Sequence, residues 1–223
     1  MVYNLTFVCH NILAILKGLS LTIEIIFVTI SIGLFLGIPV ASIQVFIWRP
    51  IAAVMYVYER ILRGVPVLFS IFLIYFGAPA INVELSAFLS GIIALGLRSS
   101  AYQSQIFRGS IQSVGKGQLE AAESVGMTKL KIIRKIVLPQ ALRRALPAWS
   151  NEWSTMVKDS SLVYVIGVVE MMTRAKMIVD RTGKAIPILL AVALIYLIIT
   201  ATGNKVLRYL EKKTSIPGVT IRR

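Results

Sequence analysis

Glu152, Lys158 and Asp159 interrupt an otherwise apolar stretch, roughly 145–169, that is long enough to cross a bilayer. A lipid-facing helix accepts such charges only at high cost, so they are expected to face protein or water. At about 100° per residue, Glu152, Met156 and Asp159 fall within about 60° of one another, with Thr155 alongside and Lys158 pointing elsewhere. Two kinds of chemistry fit that face. In one, the carboxylates hold an ammonium or guanidinium, Met156 packs an aliphatic stem, and Lys158 or Arg98 meets a carboxylate. That describes a pocket for a cationic amino acid, with neutral polar amino acids next. In the other, Lys158 or Arg98 neutralises the acids and the cluster is an ion-pair joint between helices.

Covalent and metal chemistry find no support in the chain. Cys9 and His10 are the sole cysteine and histidine, which excludes an intrachain disulfide, a thiolate metal site and a two-histidine motif. An intramembrane enzyme would need a catalytic constellation, and none is legible. No phosphate-binding loop occurs either, since Gly183-Lys184 is followed by Ala185 and lacks the upstream glycine. The chain is therefore expected to be non-catalytic.

The elements that must position these residues are membrane spans. The 223-residue chain is 57% hydrophobic and only 15% charged, with a mean hydropathy of +0.78. Segments 25–48, 64–83 and 185–204 contain no charged side chain, and each can cross a ~30 Å hydrocarbon core at ~1.5 Å per residue. Two more spans carry isolated charges: about 85–107, interrupted by Arg98, and about 145–169. Five transmembrane helices are predicted. The first runs from about Gly18 to Trp48, where Gly33 and Gly37 favour close helix crossing and Glu24 reaches the headgroups. In the third, Ser99 and Ser100 are expected to contact other helices, and Arg98 to pair with an acid of the fourth or face the pathway.

The net charge of +14 does not form a nucleic-acid-binding face. Arg108, Lys116, Lys129, Lys131, Arg134, Lys135, Arg143 and Arg144 cluster between the third and fourth spans. Lys205, Arg208, Lys212, Lys213, Arg222 and Arg223 follow the fifth, while the 77–86 connection carries only Glu84. The positive-inside rule places both basic regions in the cytoplasm, the N-terminus outside and the C-terminus inside. Arg49, Arg60 and Arg63, on the connection between the first two spans, agree, and Glu59 is expected to pair with Arg63 at i, i+4 on the cytoplasmic surface. Arg174, Lys176, Arg181 and Lys184 dissent, because they fall on the segment this scheme puts outside. With no basic residue before Lys17 and no small-residue cleavage pattern, no removable signal peptide is expected. One domain, 1–210, is followed by a basic tail, 211–223.

Between the third and fourth spans the chain reads Glu120-Ala121-Ala122, then Gly126 after three residues, then Ile136-Val137-Leu138-Pro139. Gln118 to Val125 is predicted to be a short helix with Ala121, Ala122 and Val125 on one face, where small side chains admit another backbone closely. Glu120 and Glu123 stand one turn apart, able to pair with cations across an interface. Gly126 suits a left-handed helix end, Thr128 suits an N-cap, and Pro139 is expected to stop the second arm.

This spacing resembles the EAA loop of ABC import permeases, and the likeness covers nearly the whole chain. Glu59-Arg60-Ile61-Leu62-Arg63-Gly64-Val65-Pro66, Ser99-Ser100-Ala101-Tyr102 and Asn151-Glu152 with Lys158-Asp159-Ser160 resemble the polar amino-acid branch. The resemblance implies an all-α integral membrane protein: five transmembrane helices, a cytoplasmic helix-turn-helix coupling loop and the type I ABC importer permease fold. It also implies a second permease (a copy or a sister), a pair of ATPase subunits that bind ATP and Mg, and an extracytoplasmic amino-acid-binding protein. Glu120, Ala121, Ala122, Glu123 and Gly126 would then couple the ATPase. Arg98, Glu152, Thr155, Met156, Lys158 and Asp159 would form the substrate site, since similar permeases carry acids there. The rival reading, a secondary transporter or channel driven by an ion gradient, calls for inverted repeats and no docking loop.

Overall fold

The computed structural model describes Val2 to Thr214, with side chains from Thr6 onward. All regular structure in that range is helical. A short apolar helix, α1 (Val2–Leu16), precedes the long α2 (Leu19–Phe46). Then come α3 (Arg49–Gly64) and α4 (Val67–Gly77), the latter prolonged by a 3₁₀ turn, Ala78–Ile81. Next are α5 (Ala87–Gln112), the small α6 (Lys116–Ser124) and α7 (Lys129–Ile132). A π segment, Ile133–Val137, leads into α8 (Leu138–Asp159), which continues as a 3₁₀ stretch, Ser160–Ile166. The last helices are α9 (Met171–Thr182) and α10 (Ala185–Thr214).

Of these, α2 and α10 are each long and apolar enough to cross a membrane, and α3 with α4 makes a third apolar unit bent by 101°. The bend has a local cause. Pro66 forces Val65 into extended backbone at ψ 131°, so α3 cannot continue, and the proline then caps the N-terminus of α4. The segment 49–63, expected to be a connection, is thus an amphipathic helix whose buried residues are Ala52 and Glu59. Segment 170–184 likewise forms a helix, α9, rather than a loop. The last span runs on to Thr214, four residues into the basic tail, and 215–223 lie outside the described residues.

Packing centres on α2 and α5. A Cβ at Gly33 would lie 2.4 Å from Gln103 Nε2 and 2.5 Å from Ser99 Oγ. At Gly37 it would lie 3.1 Å from the Ser100 carbonyl. The glycine pair thus sets the helix separation, as its spacing predicts. Across α5 lies α8, which also packs on α10, where Gly203 admits the Trp153 ring.

Pro139 does not stop the second arm. The helix instead widens just ahead of it: the Leu138 N–H bonds the Ile133 carbonyl, five residues back, and the chain runs on into α8. A single wide turn absorbs the missing proline N–H and the ring's clash with the preceding turn. The chain from Lys129 to Asp159 is therefore continuously helical.

Candidate functional site

A polar layer crosses the apolar interior between α5 and α8. Ser99 donates to Glu152 Oε1 at 2.7 Å and accepts from Gln103 Nε2 at 3.0 Å. Gln103 also donates to the Ile30 carbonyl at 3.0 Å, and its Oε1 accepts from Trp149 Nε1 at 2.9 Å. Two turns beyond Glu152, Arg98 Nη1 stands 2.7 Å from Asp159 Oδ2. That contact is a charge pair without hydrogen-bond alignment, and neither atom has a hydrogen-bond partner among the described residues. The Arg98 guanidinium also lies over the Tyr102 ring, 4.5 Å from its centroid, and Arg63 approaches the same ring at 5.0 Å.

The residues singled out on α8 divide accordingly. Glu152 and Asp159 meet α5, one through Ser99 and the other through Arg98. Met156 is 1% exposed and packs with Ile26, Ile30, Val157 and Leu207 in the core between α2, α8 and α10. Thr155 is half-buried and turns its hydroxyl back to the Asn151 carbonyl at 3.0 Å. Lys158 is exposed. Ser99 and Ser100 are both inter-helix contacts: Ser100 gives its proton to the Leu97 carbonyl and accepts one from Tyr58 of α3 at 2.6 Å.

The second candidate region is the turn between α6 and α7. Gly126 has φ +77°, a left-handed conformation that costs a Cβ-bearing residue about 1–2 kcal/mol. Met127 N–H reaches the Ala122 carbonyl at 3.1 Å and Gly126 N–H the Glu123 carbonyl at 2.9 Å, which closes α6. Thr128 has the extended backbone of an N-cap, without a side-chain cap bond. The two alanines separate. Ala122 is buried in the chain's own core with Ala41, Phe107, Ile111, Val137 and Ala141, whereas Ala121, Glu120, Glu123 and Val125 are exposed. Gln140 of α8 donates to Gln118 of α6 at 2.6 Å. So α6 sits on the ends of α2, α5 and α8 through Ala122 and offers its other face outward.

Residues 7–216 match the family described as the inner membrane component of binding-protein-dependent transport systems. The chain belongs to that family. Among its relatives, the octopine transport system permease protein of Rhizobium radiobacter is 35% identical over 211 residues, spanning 89% of each chain. The arginine transport system permease protein of Bacillus subtilis is 36% identical over 202 residues, spanning 88% of this chain and 92% of its own. A solved structure, the crystal structure of an amino acid ABC transporter with histidines, superposes with TM-score 0.84 at 34% identity. That superposition covers 94% of this chain and 97% of the other. The fold is the all-helical fold of a type I ABC permease.

Two buried acids anchor the permease: Glu59, singled out in the sequence only as a partner of Arg63, and Glu170, which sequence reasoning missed. Glu59, expected to pair with Arg63 at the surface, makes that i, i+4 contact at 3.1 Å but is only 5% exposed. Its carboxylate also accepts from Gln44 of α2 at 2.9 Å and from Arg108 of α5 at 2.5 Å. Glu170 is fully buried. It caps α9 by accepting from the Thr173 N–H at 2.9 Å, and it accepts from Tyr196 of α10 at 2.8 Å and Thr22 of α2 at 3.2 Å. The available signal was an acid three residues before a threonine N–H at a helix start. Its reach to α2 and α10 had no local trace.

Proposed function

We propose that this chain is the membrane-spanning permease subunit of an ATP-driven importer of polar amino acids, with a cationic amino acid as substrate. The observation that carries the proposal is the Arg98–Asp159 pair at 2.7 Å, its contacting atoms buried between two helices with no hydrogen-bond partner among the described residues. A ligand that enters between them must supply a cation to Asp159 and an anion to Arg98, or leave a charge stranded in a poorly solvated place. An amino acid carries both charges. A side-chain ammonium or guanidinium adds a second cation for Glu152, which lies one and a half to two turns away on α8. Thr155 and the exposed Lys158 stand at the edge of the same region, and Met156 backs α8 from the core side. The relatives named for octopine and arginine transport agree in chemistry. Family membership leaves the ion-gradient reading without support.

In this reading five spans cross the cell membrane: α2, α4 with its 3₁₀ extension, α5, α8 with its extension, and α10. The N-terminus is outside and the C-terminus cytoplasmic. A second permease completes the pathway. Two ATPase subunits, which bind the ATP and Mg, dock on the exposed face of α6 formed by Glu120, Ala121 and Glu123 and on the Gly126 turn. An extracytoplasmic amino-acid-binding protein delivers substrate. Because Ala122 roots α6 in the core and the helix runs unbroken through Pro139, closure of the ATPase pair would rotate α8 and with it Glu152 and Asp159. That is a rigid-body switch biased by ligand.

The test is uptake by the assembled transporter carrying Glu152→Gln or Asp159→Asn. Uptake of arginine or lysine should fall by an order of magnitude or shift towards neutral amino acids, while ATP hydrolysis stimulated by the binding protein survives. Unchanged half-saturation and rate in both variants would make the charges a structural joint and place the pocket elsewhere.

A further inference from the structure

The basic residues on α9 break the charge pattern that orients the chain, and two of them share a feature the transport reading does not use. Arg174, Met177, Ile178 and Arg181 lie at i, i+3, i+4 and i+7, on one face of the helix. With Ala14 of α1 they line a cavity of about 200 Å³. Met177, Ile178 and Ala14 supply apolar lining and an arginine lies at each end, the two Cα atoms about 10 Å apart along the axis at 1.5 Å per residue. Neither arginine is neutralised by the helix's own acids. Asp180 lies on the other face and pairs with Lys176, and the Glu170 carboxylate is taken up by Thr22, Thr173 and Tyr196. Arg174 Nε is buried and has no hydrogen-bond partner among the described residues.

The cavity's depth limits what fills it. Gly183 ends α9, and the charge-free run of α10 begins at Ala185, with Ile186 and Leu190 exposed. Arg181 therefore precedes the start of that charge-free run by four residues, which places it near the headgroup zone. A guanidinium there is stabilised by a phosphate, which it binds bidentately, and an anionic phospholipid presents one at that depth. We propose that this cavity binds one anionic phospholipid. Its phosphate bridges Arg174 and Arg181, and an acyl chain runs along Met177, Ile178 and Ala14. The ligand fastens α1 to α9 and belongs to the leaflet on the α9 side. The proposal requires only that the chain is a membrane permease, whatever it transports.

Native mass spectrometry of the assembled transporter, taken from vesicles of equal phosphatidylglycerol and phosphatidylcholine, tests this. The wild type should retain phosphatidylglycerol in preference to phosphatidylcholine. Arg174→Gln/Arg181→Gln should lower that retention about tenfold, given two lost charge-assisted contacts, and Lys176→Gln on the opposite face should leave it unchanged. Arg181→Gln alone, at an exposed position, should lower it about threefold and covers the case in which the double variant fails to assemble. Retention unaffected by the arginine variants, equal retention of the two lipids, or an equal loss in Lys176→Gln would each overturn the proposal. So would displacement of the lipid by millimolar inorganic phosphate, which would identify a free-anion site.

Discussion

Glu59→Ala should destabilise the permease more than any other single replacement of a charged group on α3, and the structure says by how much. Glu59 is the shared acceptor for Gln44, Arg63 and Arg108, so its carboxylate ties α3 to α2 and α5. The Arg63 side chain is 32% exposed and can turn to water when its partner goes, so that contact is worth at most about 1 kcal/mol. The Arg108 side chain is 17% exposed and would keep the Gln44 Oε1 acceptor at 2.9 Å and the face of the Tyr56 ring, 4.9 Å from its centroid. Removing one partner of a buried pair costs about 3–5 kcal/mol. With Arg108 partly in reach of water, about 2–3 kcal/mol is expected for Glu59→Ala. Glu59→Gln should cost less, because the amide still accepts one bond. The pair's own share comes from a double-mutant cycle of Glu59→Gln and Arg108→Gln, read as unfolding free energy of the purified transporter in denaturant. A coupling of about 1.5–3 kcal/mol is expected. Strict additivity of the two changes, or an Arg63→Gln cost equal to that of Arg108→Gln, would refute the assignment of Arg108 as the principal partner.

Gly33→Val places side-chain atoms where Gln103 Nε2 and Ser99 Oγ already lie at 2.4 and 2.5 Å from a Cβ. It should cost about 1–3 kcal/mol and disturb Ser99 beneath Glu152, whereas Gly109→Ala, with nothing within 4 Å, should be nearly neutral; thermal unfolding of the two variants compares them. Gly126→Val meets no neighbour within 4 Å but must hold φ +77°, so the turn should distort at about 1–2 kcal/mol. Co-purification of the ATPase and uptake should both drop while membrane insertion is normal, and wild-type levels of both would count against docking there. For orientation, an impermeant thiol reagent applied to intact cells in a Cys9→Ser background should label Asn82→Cys and spare Lys116→Cys. The reverse pattern would invert the topology.

Much of the molecule was legible because its signals are local. Charge-free runs of sufficient length marked α2, α4 and α10 whatever their neighbours, since hydrocarbon thickness alone sets that length. Gly33 and Gly37 announced a close crossing, and Gly126 a left-handed turn, from residue type and spacing. The face shared by Glu152 and Asp159 followed from helical periodicity. Local rules failed where two local signals met. Pro139 should stop a helix, yet one π turn lets it pass, because the apolar faces on both sides of the proline are held against the same core.

What only tertiary structure decided is which groups face each other. Periodicity gives an angle around one helix axis, not the identity of the neighbour across it, so the sequence left Glu59 with Arg63 alone. The crossing of α3 with α2 and α5 brought Gln44 and Arg108 to it. The same holds for Glu170, whose partners Thr22 and Tyr196 are 148 and 26 residues away in the chain. On α8, one predicted face is divided by its surroundings. Ser99 and Arg98 of α5 claim Glu152 and Asp159, while Met156 between them is carried into the core by Ile26 and Ile30 of α2. A buried charge is stable only beside its partner, and where that partner stands is fixed by helix packing rather than by the order of residues.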